Sequence, residues 1–195
     1  MEEIISFSSP NPNLYDDDKR WKCVFSQWYL KNFIGDNFYY DVPEITKEDF
    51  EKYLNNKIFN CREKWMMVCK ALVFAKDEFR NFNINLIEKK IMSNNSPKNI
   101  KSYGRMILGF DENIWEKCRY KIVFNGNYLQ FKQNEELKEI LLNTKGIIVE
   151  GTRDKIWGAG LLYPSFINKN KWGLNLLGNV LMEVREIIKL ENNIK

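Results

Sequence analysis

Histidine is absent from all 195 residues. That gap excludes a Ser-His-Asp triad, a Cys-His dyad, a histidine general base and any histidine-ligated metal. Acid–base chemistry falls to Asp, Glu, Lys, Tyr or Cys. Cysteine is sparse. Cys23, Cys61, Cys69 and Cys118 include no C-x-x-C pair, which argues against a zinc ribbon or thioredoxin motif and fits a reducing compartment. No apolar run approaches the ~20 residues of a membrane span. The opening Met1-Glu2-Glu3-Ile4-Ile5 lacks the basic-then-apolar profile of a secretory signal. Gly158-Ala159-Gly160 is too short for either nucleotide-binding glycine fingerprint. The expectation is a cytoplasmic protein with no membrane association, no metal and no cofactor.

Hydrophobic residues make up 44% of the chain and charged residues 29%, a globular composition. The net charge of +4 admits an anionic ligand but is small beside the basic face of a dedicated nucleic-acid binder. Turn-forming Pro and Asn suggest an irregular arm over residues 1–20. Residues 21–195 then form one mainly helical domain with a few short strands. Residues 24–30 read as a strand and 34–45 as a loop. Thr46-Lys47-Glu48-Asp49 has the form of a helix start, and a helix is expected over 61–76. Ser96-Pro97 and Asp111 open two more helices. Asn134 starts another, closed by Gly146. A strand at 147–150 and a last helix over 176–190 complete the pattern.

The helix over 61–76 is apolar almost all round, which predicts burial. Glu63 and Lys70 sit in it, seven residues apart. That spacing puts them on one face, about 10 Å apart along the axis. As surface groups they would be a solvated carboxylate and a snorkelling lysine. On a buried helix each charge needs a partner or a wet cleft, and burial shifts both pKa values toward catalytic use.

Glu150 and Asp154 flank a strand end and a glycine-containing turn, a common way to present an acid to a cleft; they could equally be a cap or a surface pair. Trp157 could stack on a planar ring or fill the core. Arg105, Arg153 and Arg185 could grip an oxyanion in two-pronged fashion. Asn127 and Asn175 read equally as caps or as hydrogen-bond readers.

Several segments, taken in order, resemble the NADAR (YbiA-like) family. They are Phe25-Ser26-Gln27-Trp28-Tyr29; Glu63 through Ala71; Gly104-Arg105; Phe110-Asp111 with Trp115; Phe131 through Asn134; Leu141 through Thr144; Val149 through Gly158; and Trp172 through Gly178 with Leu181 through Arg185. The resemblance covers roughly residues 25–188. It implies a compact orthogonal helical domain with a few short strands, and an N-glycosidase acting on a small-molecule phosphoribosyl or ADP-ribosyl substrate. Riboflavin-pathway aminopyrimidine intermediates are the first substrate class it implies. Removal of ADP-ribose from guanine in ADP-ribosylated nucleic acid is the alternative, and a non-catalytic ADP-ribose-binding module is a third.

Under that resemblance Glu63, Lys70 and Asp154 are the catalytic set, and Trp28, Arg105, Asn127, Glu150, Trp157 and Asn175 bind substrate. Glu63 would stabilise the ribosyl cation or activate water. Lys70 would either pair with phosphate or form a transient imine. The stretch 34–60 is longer and more aromatic than the family's usual connection, and Gln130 stands where the family often has Lys.

Overall fold

The computed structural model describes residues 3–193; Met1 and Glu2 of the acidic opening lie outside the described residues. The chain divides into two compact units. One is built from the two ends of the chain, up to Tyr29 and from Phe131 onward; the other is Leu30–Gln130. Among the described residues no helix is long and apolar enough to cross a membrane.

In the first unit the expected irregular arm gives way to a strand, β1 (Ile4–Phe7). The alternation in Ile-Ile-Ser-Phe explains it: Ile5 and Phe7 are both 1% exposed, a period-2 pattern masked by the Pro and Asn that follow. β1 pairs in parallel with β4 (Ile147–Glu150), Ile4 opposite Ile147 and Phe7 opposite Glu150. Residues 24–30, expected as a strand, form none: Val24 and Phe25 close a 3-10 segment at Asp17–Phe25 and a turn follows. Its last turn seats Phe25 edge-on to Phe7, with ring centroids 5.8 Å apart.

Helix α6 (Glu135–Leu142) ends on Asn143, not on Gly146. Gly146 serves another purpose: a Cβ there would lie 2.1 Å from the Glu3 carbonyl oxygen, so only glycine lets the chain enter β4 alongside β1. Helix α7 (Leu176–Asn193) packs on β4. Its Gly178 allows a similar approach, with a Cβ 2.1 Å from the Ile148 carbonyl oxygen.

The second unit begins with a minimal antiparallel pair, β2 (Phe33–Ile34) and β3 (Ile58–Phe59). Between them α1 (Lys47–Tyr53) starts as expected, Thr46 accepting from the Asp49 backbone N–H at 3.1 Å. Helix α2 (Arg62–Val73) is the spine. Around it stand α3 (Arg80–Leu86), which continues into a π-helical turn at Ile87–Ile91, and α4 (Pro97–Gly104). No helix was expected over 80–91, where Asn and charged residues blur the apolar stripe.

Helix α4 is capped by Ser96, and Asp111 accepts from the backbone N–H groups of Asn113 and Ile114 at the start of α5 (Glu112–Gln133). At the centre Trp65 is fully buried, its indole N–H donating 2.9 Å to the Ile122 carbonyl of α5. The rings of Phe33, Phe38 and Phe59 surround it, centroids 5.1–6.1 Å away.

Candidate active site

The core of α2 is more charged than its apolar stripe suggested. Arg62, Glu63 and Lys64 are 1%, 3% and 3% exposed, and of residues 62–73 only Lys70 reaches partial exposure. Arg62 donates to Asn127 Oδ1 at 2.7 Å. Lys64 donates to the Met92 carbonyl at 3.3 Å and to Asn95 Oδ1 at 3.4 Å. Both face structural acceptors. Their burial was legible only once the whole helix proved to be interior, because charged residues in a first turn ordinarily mark a solvated end.

Glu63 is thus a carboxylate inside the protein, two turns from Lys70. The Lys70 ammonium lies 4.1 Å from the centre of the Phe110 ring and 5.4 Å from that of Trp115. Burial pushes the Lys70 pKa below the usual lysine value, and the charges of Glu112 and Glu63 oppose that shift. Glu63 is enclosed and Lys70 is partly exposed. Arg105 shares their unit but is exposed, just past the end of α4.

Asn127 also belongs to this unit, but its amide is fully engaged. Oδ1 accepts from Arg62, Nδ2 donates 2.8 Å to the Val123 carbonyl, and the residue is 0% exposed. In this position it satisfies a guanidinium that burial would otherwise strand.

The remaining predicted residues, Trp28, Glu150, Asp154, Trp157 and Asn175, fall in the other unit. Trp28 and Trp157 are half-buried there. Asn175 adopts a left-handed φ of 47°. Its Nδ2 donates 2.9 Å to the Ile148 carbonyl and its Oδ1 accepts from the Glu150 backbone N–H at 3.1 Å. It latches the start of α7 to β4. Asn175→Ala removes both bonds and strains an alanine at positive φ. The expected cost is about 1–3 kcal/mol, checked by urea denaturation.

Asp154 is exposed, with Oδ1 accepting from the backbone N–H groups of Ile156 and Trp157 at 2.8 and 2.9 Å. That is a side-chain-capped turn, and its Oδ2 remains available. Arg185 is not an oxyanion clamp: it donates to Thr144 Oγ1 at 3.0 Å and to the Gly146 carbonyl at 3.1 Å. Two polar groups were not singled out from sequence. The Gln27 amide and the Thr152 hydroxyl are buried with no hydrogen-bond partner among the described residues. Both lie inside segments that carry the family resemblance.

A buried acid and a ring-flanked lysine thus share one interior helix. Comparison with known proteins places the chain in a family. The NADAR domain model matches residues 14–189. The chain is 39% identical over 168 residues to N-glycosidase R617 of Acanthamoeba polyphaga mimivirus, covering 84% of this chain and 86% of that protein. It is 32% identical over 174 residues to Protein irg-1 of Caenorhabditis elegans, covering 84% and 74%. The NMR structure of the E. coli protein YbiA superposes with a TM-score of 0.64 at 23% identity, over 98% of this chain and 88% of that one. The chain belongs to the NADAR family and has its mainly helical, YbiA-like fold.

Proposed function

We propose that the protein is an N-glycosidase, a hydrolase that cuts the N-glycosidic bond of a phosphoribosyl- or ADP-ribosyl-linked base. The observation that carries this reading is the placement of Glu63 inside the protein, on the same helix as Lys70, in a chain 39% identical to a protein named N-glycosidase.

Cleavage of an N-glycoside develops positive charge on the ribosyl carbon. A carboxylate held in a low-dielectric setting stabilises that charge far better than one in water. Glu63 takes this role, by analogy with the carboxylates of glycoside hydrolysis. Lys70 supplies the opposite charge, matched to a phosphate. Protonated chemistry of this kind needs no histidine. Arg105 is the further substrate contact of this reading in the same unit. In the other unit, taken by itself, Asp154 Oδ2 is an acceptor suited to ribose hydroxyls, and Glu150, Trp157 and Trp28 are its proposed substrate contacts.

The first substrate class is the phosphoribosyl-aminopyrimidine of the early riboflavin pathway. A second reading, removal of ADP-ribose from guanine in nucleic acid, is favoured by one observation. Lys89 and Lys90 on the π-helical turn and Lys98 and Lys101 on the adjoining α4 are all exposed, a local basic surface suited to a phosphate backbone.

The test incubates the protein separately with a phosphoribosyl-aminopyrimidine and with DNA ADP-ribosylated on guanine, and measures released ribose phosphate and ADP-ribose. Release from the first only supports the metabolic reading, and release from the second only the repair reading. Release from neither, with ADP-ribose still bound, leaves a binding module and overturns the hydrolase.

A further inference from the structure

Lys70 is the one residue of α2 that reaches outward, yet it does not extend freely into water. Its ammonium is flanked by the face of Phe110, at 4.1 Å, and by Trp115, at 5.4 Å. Phe110 is itself anchored edge-on to the buried Phe74, centroids 5.3 Å apart, while 43% of its surface stays exposed. Trp115 is 7% exposed and fixed on α5. The two rings therefore differ in setting: Trp115 is a buried wall and Phe110 a solvent-facing ring. Glu112, one turn before Trp115 on the same helix, is held by Arg119 at 3.1 Å and contributes the largest opposing charge to Lys70, ahead of Glu63.

We propose that Phe110 and Trp115 are positioning residues that hold Lys70 as a fixed cation, with Glu112 as its counter-charge. This rests on the hydrolase reading for its purpose, but the holder itself is a property of the folded protein. An unrestrained lysine has about four rotatable bonds to freeze when it meets an anion. A lysine already seated between two rings has lost that freedom beforehand, so the substrate's phosphate meets a preorganised charge. Ring faces and acids both favour the charged form, against the burial that lowers the Lys70 pKa.

The groups facing Lys70 are Glu63 from its own helix and, from the segment packed against it, Phe110, Glu112 and Trp115. Two substitutions separate their effects. Phe110→Leu keeps apolar cover but removes the ring face. Glu112→Gln keeps size but removes the charge at an exposed helix start. Phe110→Tyr restores the ring.

Competitive labelling with acetic anhydride across pH, read at Lys70 by peptide mass spectrometry, reports the lysine's titration with no substrate present. Both Phe110→Leu and Glu112→Gln should lower its midpoint. At a fixed pH below that midpoint the labelling rate should rise about two- to fivefold. Phe110→Tyr should label as the wild type does. An unmoved midpoint in both variants overturns the proposal, as does a Tyr variant that behaves like Leu.

The basic limb of the pH profile for turnover should fall in step with the labelling midpoint, and KM for a phosphorylated substrate should rise more than kcat falls. Turnover without any labelling shift removes the holder and leaves the hydrolase. A labelling shift in a protein that cleaves no N-glycoside keeps the holder and removes the hydrolase.

Discussion

Glu63→Gln should lose most of its turnover, about 10²–10⁴-fold, the usual worth of one positioned acid or base. The substitution keeps the volume of a side chain that is 3% exposed. It changes only charge, so the fold should survive, and far-ultraviolet circular dichroism should match the wild type. The loss should fall on kcat and on kcat/KM alike, because the carboxylate's stabilisation is realised only as positive charge develops on the sugar. Steady-state kinetics on the substrate that the wild type cleaves measures both. Turnover within a few-fold of wild type would remove Glu63 from the reaction and with it the central role given to α2.

Trp65→Ala should be the most destabilising single change to the Leu30–Gln130 unit, costing about 3–5 kcal/mol. Trp65 is fully buried, touches three phenylalanine rings and donates to the Ile122 carbonyl. Truncation leaves a cavity that rigid rings fill poorly and strands an acceptor. In a chain of this length each kcal/mol lowers the melting temperature by about 2–4 °C, and thermal denaturation followed by circular dichroism would record it. Glu63 and Lys70 ride on the same helix, so activity should fall at temperatures where the variant begins to loosen. A loss under about 1 kcal/mol would contradict the role of this indole as the hub of the unit.

The legible parts of the fold are those where one local signal dominates. Thr46, Ser96 and Asp111 each mark a helix start by side-chain chemistry alone, and each caps as expected. The burial of α2 follows from its nearly continuous apolar surface, and with it the enclosure of Glu63. What escaped is what depends on distant residues. The alternation over Ile4–Phe7 is local, but nothing near Ile4 announces Ile147–Glu150 as its partner.

The same logic explains the asparagines. Asn127 and Asn175 read alike in the sequence, and only the fold brings Arg62 to one amide and the Ile148 carbonyl to the other. The ring faces around Lys70 belong to residues some forty positions downstream, at 110 and 115. The family resemblance includes those residues without saying what they touch.

The parallel pairing of β1 with β4 carries a consequence for biosynthesis. Ile4 leaves the ribosome 143 residues ahead of Ile147, its partner. At ordinary elongation speeds of about 5–20 residues per second, that leaves the amino-terminal strand exposed for about 7–30 s. Throughout that interval Ile5 and Phe7 form an unpaired, sticky edge. The nascent chain must therefore keep Ile4–Phe7 soluble until Ile147–Glu150 has been translated. Loss of the carboxy-terminal portion would leave that edge uncovered for good.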